Sequence, residues 1–146
     1  MGNILSTAEL DKYVHQEYKK LKKKAVISLI YRRLSTKFEV CTCTSLDGQY
    51  CYSDGSQYHY YIMERGCVIE EVVTKNLCKI TYQAIEKDIS EMASLYELMH
   101  RRKAQDTRRL AFVKEAELFY EIGIQYDEYH KDKIEGILKK NPYEDS

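Results

Sequence analysis

Four cysteines and one histidine in the middle of the chain are the residues best suited to bind a metal ion. Cys41, Cys43, Cys51, His59 and Cys67 could offer thiolates and an imidazole, the ligands of tetrahedral zinc. Their spacing disfavours a zinc site, because no C-x₂₋₄-C pair is present and only Cys41-x-Cys43 comes close. We therefore predict that these cysteines are small apolar strand residues and that the protein holds no metal or other cofactor.

Catalytic groups do not form a recognisable motif anywhere in the chain. Five cysteines and four histidines could supply a nucleophile and a base, but no local signature joins any pair of them. Adjacent carboxylates such as Glu70 and Glu71 alternate faces on a strand and cannot share a proton. Phosphate-binding glycine loops and the G-x-S-x-G and H-E-x-x-H patterns are missing. The sequence predicts a protein that is not an enzyme, with a small Cys/His-dependent enzyme or metal protein as an alternative.

The first six residues, Met1-Gly2-Asn3-Ile4-Leu5-Ser6, fit the M-G-x-x-x-[ST] acceptor pattern for N-myristoylation. Removal of Met1 exposes the unhindered amine of Gly2, and Ser6 supplies the preferred small hydroxyl. This hexamer resembles the N-termini of myristoylated eukaryotic and viral proteins, including ADP-ribosylation factors and viral matrix and capsid proteins. No GTPase phosphate-binding loop follows, so the resemblance ends with the hexamer. It implies a lipid anchor at Gly2.

A lysine cluster lies close behind this acceptor and could act as a second membrane signal. One myristoyl chain binds a membrane only marginally, at about 10⁴ M⁻¹, so stable anchoring needs such a signal. Each lysine near an anionic leaflet adds about 1 kcal/mol. The cluster could also be a solvated helix face. Nucleic acid is not expected as the partner, because residues 38–146 are net acidic and no nucleic-acid-binding motif is present. The five lysines are Lys19, Lys20, Lys22, Lys23 and Lys24.

Five tyrosines crowd one predicted hairpin and cannot all be internal. Strand alternation puts Tyr58 and Tyr60 on one face and Tyr50, Tyr52 and Tyr61 on the other, together with a histidine. The second face could be cross-strand packing. It could equally be a protein-binding surface, because tyrosine is enriched at interfaces.

The composition is that of one globular domain, predicted to span residues 1–146. The chain is 44% hydrophobic and 32% charged, which excludes collagen-like, low-complexity and disulfide-dense proteins. It contains no run of about 18 apolar residues that would predict a transmembrane helix, and no secretory signal is visible. The five cysteines are therefore expected to be reduced thiols in the cytosol.

Three regions of different character follow one another along this domain. Residues 1–37 hold the lipid acceptor and a basic helix over residues 7–34, whose start is indicated by a capping box of Ser6 and Glu9. Residues 38–75 predict an antiparallel meander with strands at 38–46, 49–53, 57–64 and 67–74. Two Asp-Gly turns should give Gly48 and Gly55 positive φ angles.

The predicted register of the meander puts Cys43 opposite Tyr52, so that Cys43 and Cys51 point to different faces. Residues 76–146 form the helical region. Apolar residues at heptad-like steps predict helices over 77–102 and 107–140, with Asp106 as an N-cap. They would pack as an antiparallel hairpin. The alternative is one long coiled-coil helix, which would have to form a homo-oligomer to cover its apolar stripe.

These expectations combine into an α+β fold with an N-terminal basic helix, a four-stranded meander and a C-terminal helical hairpin. The leading functional hypothesis is an N-myristoylated peripheral protein on the cytoplasmic face of a membrane, with structural or tethering function. A matrix-like or membrane-to-capsid component of a virion is one form of this hypothesis. Its partners would be an anionic membrane surface and an unknown protein. The alternative is a cytosolic protein-interaction module that uses coiled-coil-like helices without any membrane role.

Overall fold

The computed structural model describes residues 3–21 and 33–145 of the chain. Within these ranges the described residues form two compact units, which we call the sheet unit (residues 3–19 and 33–86) and the helical unit (residues 20–21 and 87–145). The described elements, in chain order, are α1 (Thr7–Tyr18), β1 (Gly48–Ser53), β2 (Tyr58–Glu64), β3 (Cys67–Thr74), α2 (Leu77–Met99), α3 (Thr107–Ile122) and α4 (Ile124–Lys140). The first part of α2 belongs to the sheet unit and the rest to the helical unit.

Helix α1 begins where the sequence predicted and ends much earlier. The Ser6 side chain accepts from the Glu9 N–H, and the Glu9 carboxylate accepts from the Ser6 N–H, which confirms the capping box. The prediction of a helix to residue 34 is wrong, because α1 ends at Tyr18 with Lys19 as its C-cap. Lys19 lies at the C-terminal end of α1, where the helix dipole favours a positive charge. Residues 22–32 lie outside the described ranges.

The sheet has three antiparallel strands in the order β1-β2-β3, so the predicted four-stranded meander is wrong. Residues 38–46 do not form a strand. Thr42 and Ser45 instead close a turn through a Ser45 N–H to Thr42 carbonyl bond and a Thr42 N–H to Ser45 hydroxyl bond. Such local side-chain bonds compete with strand pairing. Lys37 alone bridges to β1, next to Tyr50.

The missing strand also changes the predicted register. Tyr52 pairs with His59 of β2 rather than with Cys43. Gly48 is the first residue of β1, so it is not part of a two-residue turn that joins two strands. The positive φ angles of Gly48 and Gly55 are nevertheless confirmed, at 146° and 89°.

One face of the sheet forms the core of the sheet unit. Cys51, Tyr58 and Tyr60 on this face are buried, as are Leu10 and Val14 of α1. The buried phenols have polar partners, because the Tyr58 hydroxyl accepts from the Leu5 N–H at 2.9 Å. The Tyr60 hydroxyl likewise donates to the Gln49 side chain at 2.6 Å. The tyrosines on this face therefore serve packing.

The predicted helix over 107–140 is two helices, α3 and α4, separated by Gly123. The backbone of Gly123 is extended, with φ 174° and ψ 141°, and the chain reverses there. Phe119 of α3 consequently packs on His130 of α4, with ring centroids 4.7 Å apart. The antiparallel hairpin is thus formed by α3 and α4, and the predicted hairpin of residues 77–102 with 107–140 is wrong. Asp106 is confirmed as the N-cap of α3.

The residues after α4 fold back along the start of α3. Arg108 donates to the carbonyls of Asn141 and Pro142, and the Asp106 carboxylate accepts from the backbone N–H of residue 144. Tyr143 lies under the guanidinium of Arg109, whose Cζ is 4.0 Å from the ring centroid. This tail cluster, Asp106, Arg108, Arg109, Tyr143 and Asp145, closes the open end of the α3–α4 hairpin.

Candidate protein-binding surface

The face of the sheet opposite its packed face carries aromatic rings next to a carboxylate. Tyr52 of β1, His59 and Tyr61 of β2, and Glu71 and Val73 of β3 share this face, because His59 pairs with both Tyr52 and Val73, and Tyr61 pairs with Glu71. We call these five residues the open face. Glu71 is exposed, Val73 is 39% exposed, and the three rings are partly exposed.

The three rings of the open face are held in one arrangement. Tyr52 and His59 stack almost in parallel, with centroids 4.7 Å apart and an interplanar angle of 4°. Tyr61 tilts against both rings at 5.9 Å. Stacked rings of this kind present a large contact area with little rotamer entropy to lose on binding.

A row of polar contacts runs through these rings. His59 Nε2 lies 2.7 Å from the Asp54 carboxylate and His59 Nδ1 lies 3.1 Å from the Tyr61 hydroxyl. The hydrogen bond from His59, followed by those from the N–H groups of Ser56 and Gln57, holds the pKa of Asp54 well below its ordinary value. Asp54 is therefore ionised at neutral pH and fixes the imidazole in place.

Tyr61 is the second residue of this row whose pKa is shifted by its neighbours. Burial of its hydroxyl, followed by hydrogen bonds with Tyr52 and Glu71, raises the pKa of Tyr61 well above its ordinary value. The phenol therefore stays protonated at neutral pH and can donate to a neighbouring carboxylate. These contacts join the side chains of four residues across the sheet, in the order Asp54, His59, Tyr61 and Glu71.

Strand β3 is an edge of this sheet and is unusually exposed. It pairs with β2, and no other described strand pairs with it. Val68 and Ile69 are 51% and 58% exposed, at a register irregularity between Ile62 and Met63 of β2. Glu70 and Glu71 have no lysine or arginine partner within the described ranges. The edge therefore presents apolar side chains together with negative charge that no described lysine or arginine neutralises.

The five tyrosines predicted to bind a partner separate into two groups. Tyr58 and Tyr60 are buried on the packed face. Tyr50 shares the face of Tyr52 and Tyr61 but is also buried, because its hydroxyl donates to the Leu46 carbonyl and the Lys37 ammonium lies over its ring. Tyr52 and Tyr61 alone remain at the surface. Strand alternation correctly predicted which tyrosines share a face, but it did not predict that Tyr50 would be buried.

Three residues of the open face were not among the predicted site residues. His59 could have been included, since alternation already places it with Tyr52 and Tyr61. Glu71 and Val73 depend on the register between β2 and β3, which includes the irregularity at Ile62 and Met63. Sequence alternation alone does not reveal that irregularity.

The predicted membrane-binding residues are mostly beyond the described ranges. Gly2 and Lys22, Lys23 and Lys24 lie outside them. Lys19 and Lys20 are exposed just after the end of α1. Acylation of Gly2 and contact of the lysines with a membrane therefore stay predictions. No helix in the ranges described is long and apolar enough to cross a bilayer.

The cysteines do not gather with other possible ligands in the part of the chain that the structure describes. No group of three or more histidine, cysteine, aspartate or glutamate side chains there could hold a metal ion. Cys51 is buried in the core, while Cys43 and Cys67 are exposed. This leaves the open face as the most developed candidate site in the sheet unit.

Comparison with protein families defines the class of the protein. Residues 54–136, more than half of the chain, match a family of immunity proteins, a class whose members bind a cognate toxin protein and which is not a family of enzymes. The family is Immunity protein 63, and the chain belongs to it. Neither a curated protein sequence nor a solved structure matches the chain.

Family membership corrects part of the sequence-based hypothesis. The chain is not classified with myristoylated viral structural proteins, because the family to which it belongs consists of toxin immunity proteins. The sequence-based prediction of an unknown protein partner agrees with this class. The matched residues include β2, β3 and most of the open face.

Proposed function

We propose that this protein is an immunity protein that binds its cognate toxin and thereby blocks the toxin's activity. The observation that carries the proposal is the family match over residues 54–136. Binding alone is sufficient for such a function, since an inhibitor needs complementarity to its target and no chemistry of its own. This function also resembles the interaction-module alternative derived from the sequence, with a toxin as the partner.

The surface of the sheet unit supports a function in protein binding. Tyrosines are enriched at protein interfaces, and the buried core of an interface is more apolar than its rim. Tyr52, Tyr61, Val73 and Ile69 supply these groups on one strand edge and the adjoining face. A rigid platform of this kind binds without a large loss of conformational entropy.

A competition experiment in the source organism tests this function. A strain lacking the gene is grown in mixed culture with its parent, which retains both the gene and the toxin. We expect the parent to inhibit the deletion strain, and a plasmid copy of the full chain to restore its growth. An empty plasmid is the control. Equal growth of the deletion strain with and without the plasmid, in the presence of an active parent, would contradict the proposal.

A further inference from the structure

The open face and the adjoining edge of β3 have the chemistry of a site for a positively charged side chain. Glu71 is an exposed carboxylate that hydrogen-bonds with Tyr61 and has no lysine or arginine partner in the described ranges. Glu70, on the other face of β3, also has no such partner there. The faces of tyrosine rings carry negative partial charge and attract cations. Tyr52 and Tyr61 place two such rings on the same face as Glu71.

Two carboxylates, those of Asp54 and Glu71, border the rings of this face, while the ammonium of Lys37 lies over the neighbouring Tyr50 ring. Asp54 is held ionised beside His59, as its lowered pKa indicates. The eight residues of β3 contain two glutamates and neither lysine nor arginine. A ligand that brings one or two positive charges therefore gains favourable interactions that the isolated protein lacks.

We propose that the open face is the surface that docks the cognate toxin, and that the toxin contributes a basic segment whose arginine or lysine lies on Tyr52 and Tyr61 and pairs with Glu71. This inference rests on the proposed function and names the surface and the chemistry of the partner. Arginine suits the site particularly well, because its planar guanidinium stacks on aromatic rings and pairs with carboxylates through two hydrogen bonds. The apolar edge residues Val73 and Ile69 would pack beside it.

Two other occupants fit the surface less well. A nucleic acid would bring phosphates against Glu71 and Asp54, and like charges repel. A second copy of the chain, paired antiparallel through the centre of β3, would place Glu71 of one copy opposite Glu71 of the other, or Glu70 opposite Glu70. Like charges directly opposite each other destabilise a strand pair. The negative charge of this face thus favours a basic protein segment over a nucleic acid or a second copy of the chain.

The decisive variant is Glu71→Lys, tested in the mixed-culture assay. Its matched control is Glu91→Lys, which makes the same charge change at an exposed position of α2. We expect the wild-type chain and the Glu91→Lys control to protect equally, and Glu71→Lys to reduce the recovery of protected cells at least tenfold. Tyr52→Ala should show a similar loss. Thermal melting of each purified variant distinguishes loss of binding from loss of folding, and Glu71→Gln provides a milder second substitution at the same site.

The outcomes separate the two proposals. If the wild-type chain protects and both folded Glu71 variants protect as well as the wild type, the toxin docks elsewhere and this inference is overturned. If the wild-type chain does not protect, the proposed function fails and this inference fails with it. Sedimentation of the purified chain adds a further check. A dimer that Val73→Lys dissociates would show that the face binds a second copy, which also overturns the inference.

Discussion

At the scale of single residues, burial decides the reactivity of the cysteines. The thiol of Cys51 lies in the core of the sheet unit, and desolvation raises its pKa to about 12 from an ordinary value of 9.0. Cys43 and Cys67 are exposed at the surface of the same unit. Since the thiolate is the reactive form, we expect Cys51 to react with thiol reagents much more slowly than Cys43 and Cys67 do.

Alkylation of the native protein tests this difference. With iodoacetamide at pH 8, we expect Cys43 and Cys67 to be modified quickly, while Cys51 stays unmodified until denaturant is added. Peptide mass spectrometry over a time course measures the modification at each site. Modification of Cys51 at the rate of Cys67 in the folded protein would show that Cys51 is not part of the core.

At the scale of elements, α3 and α4 are joined by a buried polar contact. Glu115 Oε1 lies 2.9 Å from His130 Nε2, and the two side chains are 7% and 1% exposed. The Phe119 ring packs on the same imidazole. Removing one member of a buried pair leaves the other desolvated, which commonly costs about 3 kcal/mol or more.

The predicted effect of His130→Ala is therefore a fall of about 3 kcal/mol in the free energy of unfolding. Urea denaturation followed by circular dichroism measures it. Glu117→Ala is the matched control, because the Glu117 side chain is 61% exposed and should matter little. A change below about 1 kcal/mol for His130→Ala, within the range of a surface substitution, would argue against a structural role for the contact.

The tail cluster gives a second prediction at this scale. Tyr143 contacts Arg109 through its ring face and lies 6.3 Å from Phe112 between ring centroids. Tyr143→Ala removes these contacts and should destabilise the protein by about 1 to 2 kcal/mol. The control is Tyr120→Ala on α3, since Tyr120 is 62% exposed. Equal melting temperatures for the two variants would mean that the tail does not stabilise the hairpin.

At the scale of the whole molecule, ionised carboxylates occur in both units and make the fold sensitive to acid. The His59 hydrogen bond lowers the pKa of Asp54 in the sheet unit. Hydrogen bonds from Arg108 and Arg109 lower those of Asp106 and Asp145 in the helical unit. A carboxyl group with a lowered pKa in the folded state stabilises the fold above its unfolded pKa, and this contribution is lost as the pH falls toward the folded pKa.

We therefore expect the free energy of unfolding to be steady near neutral pH and to fall once the pH drops below the ordinary aspartate value of 3.8. Urea unfolding between pH 7 and pH 2 measures the profile. The Asp106→Asn variant should be less stable at neutral pH and should lose less stability on acidification than the wild type. A stability that is constant down to pH 2 would contradict the predicted role of these carboxylates.

Several features were determined by the sequence itself, because they depend on residues close together in the chain. The capping box of Ser6 and Glu9 needs residues only three positions apart. The last two strands were placed at 57–64 and 67–74 and are found at Tyr58–Glu64 and Cys67–Thr74. Ile85, Ile89 and Met92, which recur at the heptad-like spacing that predicted this helix, are buried in α2. Propensity and periodicity are local properties, so the sequence alone could reveal them.

Other features were decided only by the tertiary structure. Residues 38–46 have strand-forming side chains, yet local hydrogen bonds at Thr42 and Ser45 replace strand pairing there. The heptad-like stripe of α3 continues into α4, where polar residues take it over near its end, yet the chain reverses at Gly123 because folding back buries Phe119 against His130. Tyr50 is covered by the segment that contains Leu46, while Tyr52 on the same face stays accessible. In each case two arrangements satisfy the alternation or periodicity of the sequence, and hydrogen bonds and packing contacts that those patterns do not show select one of them.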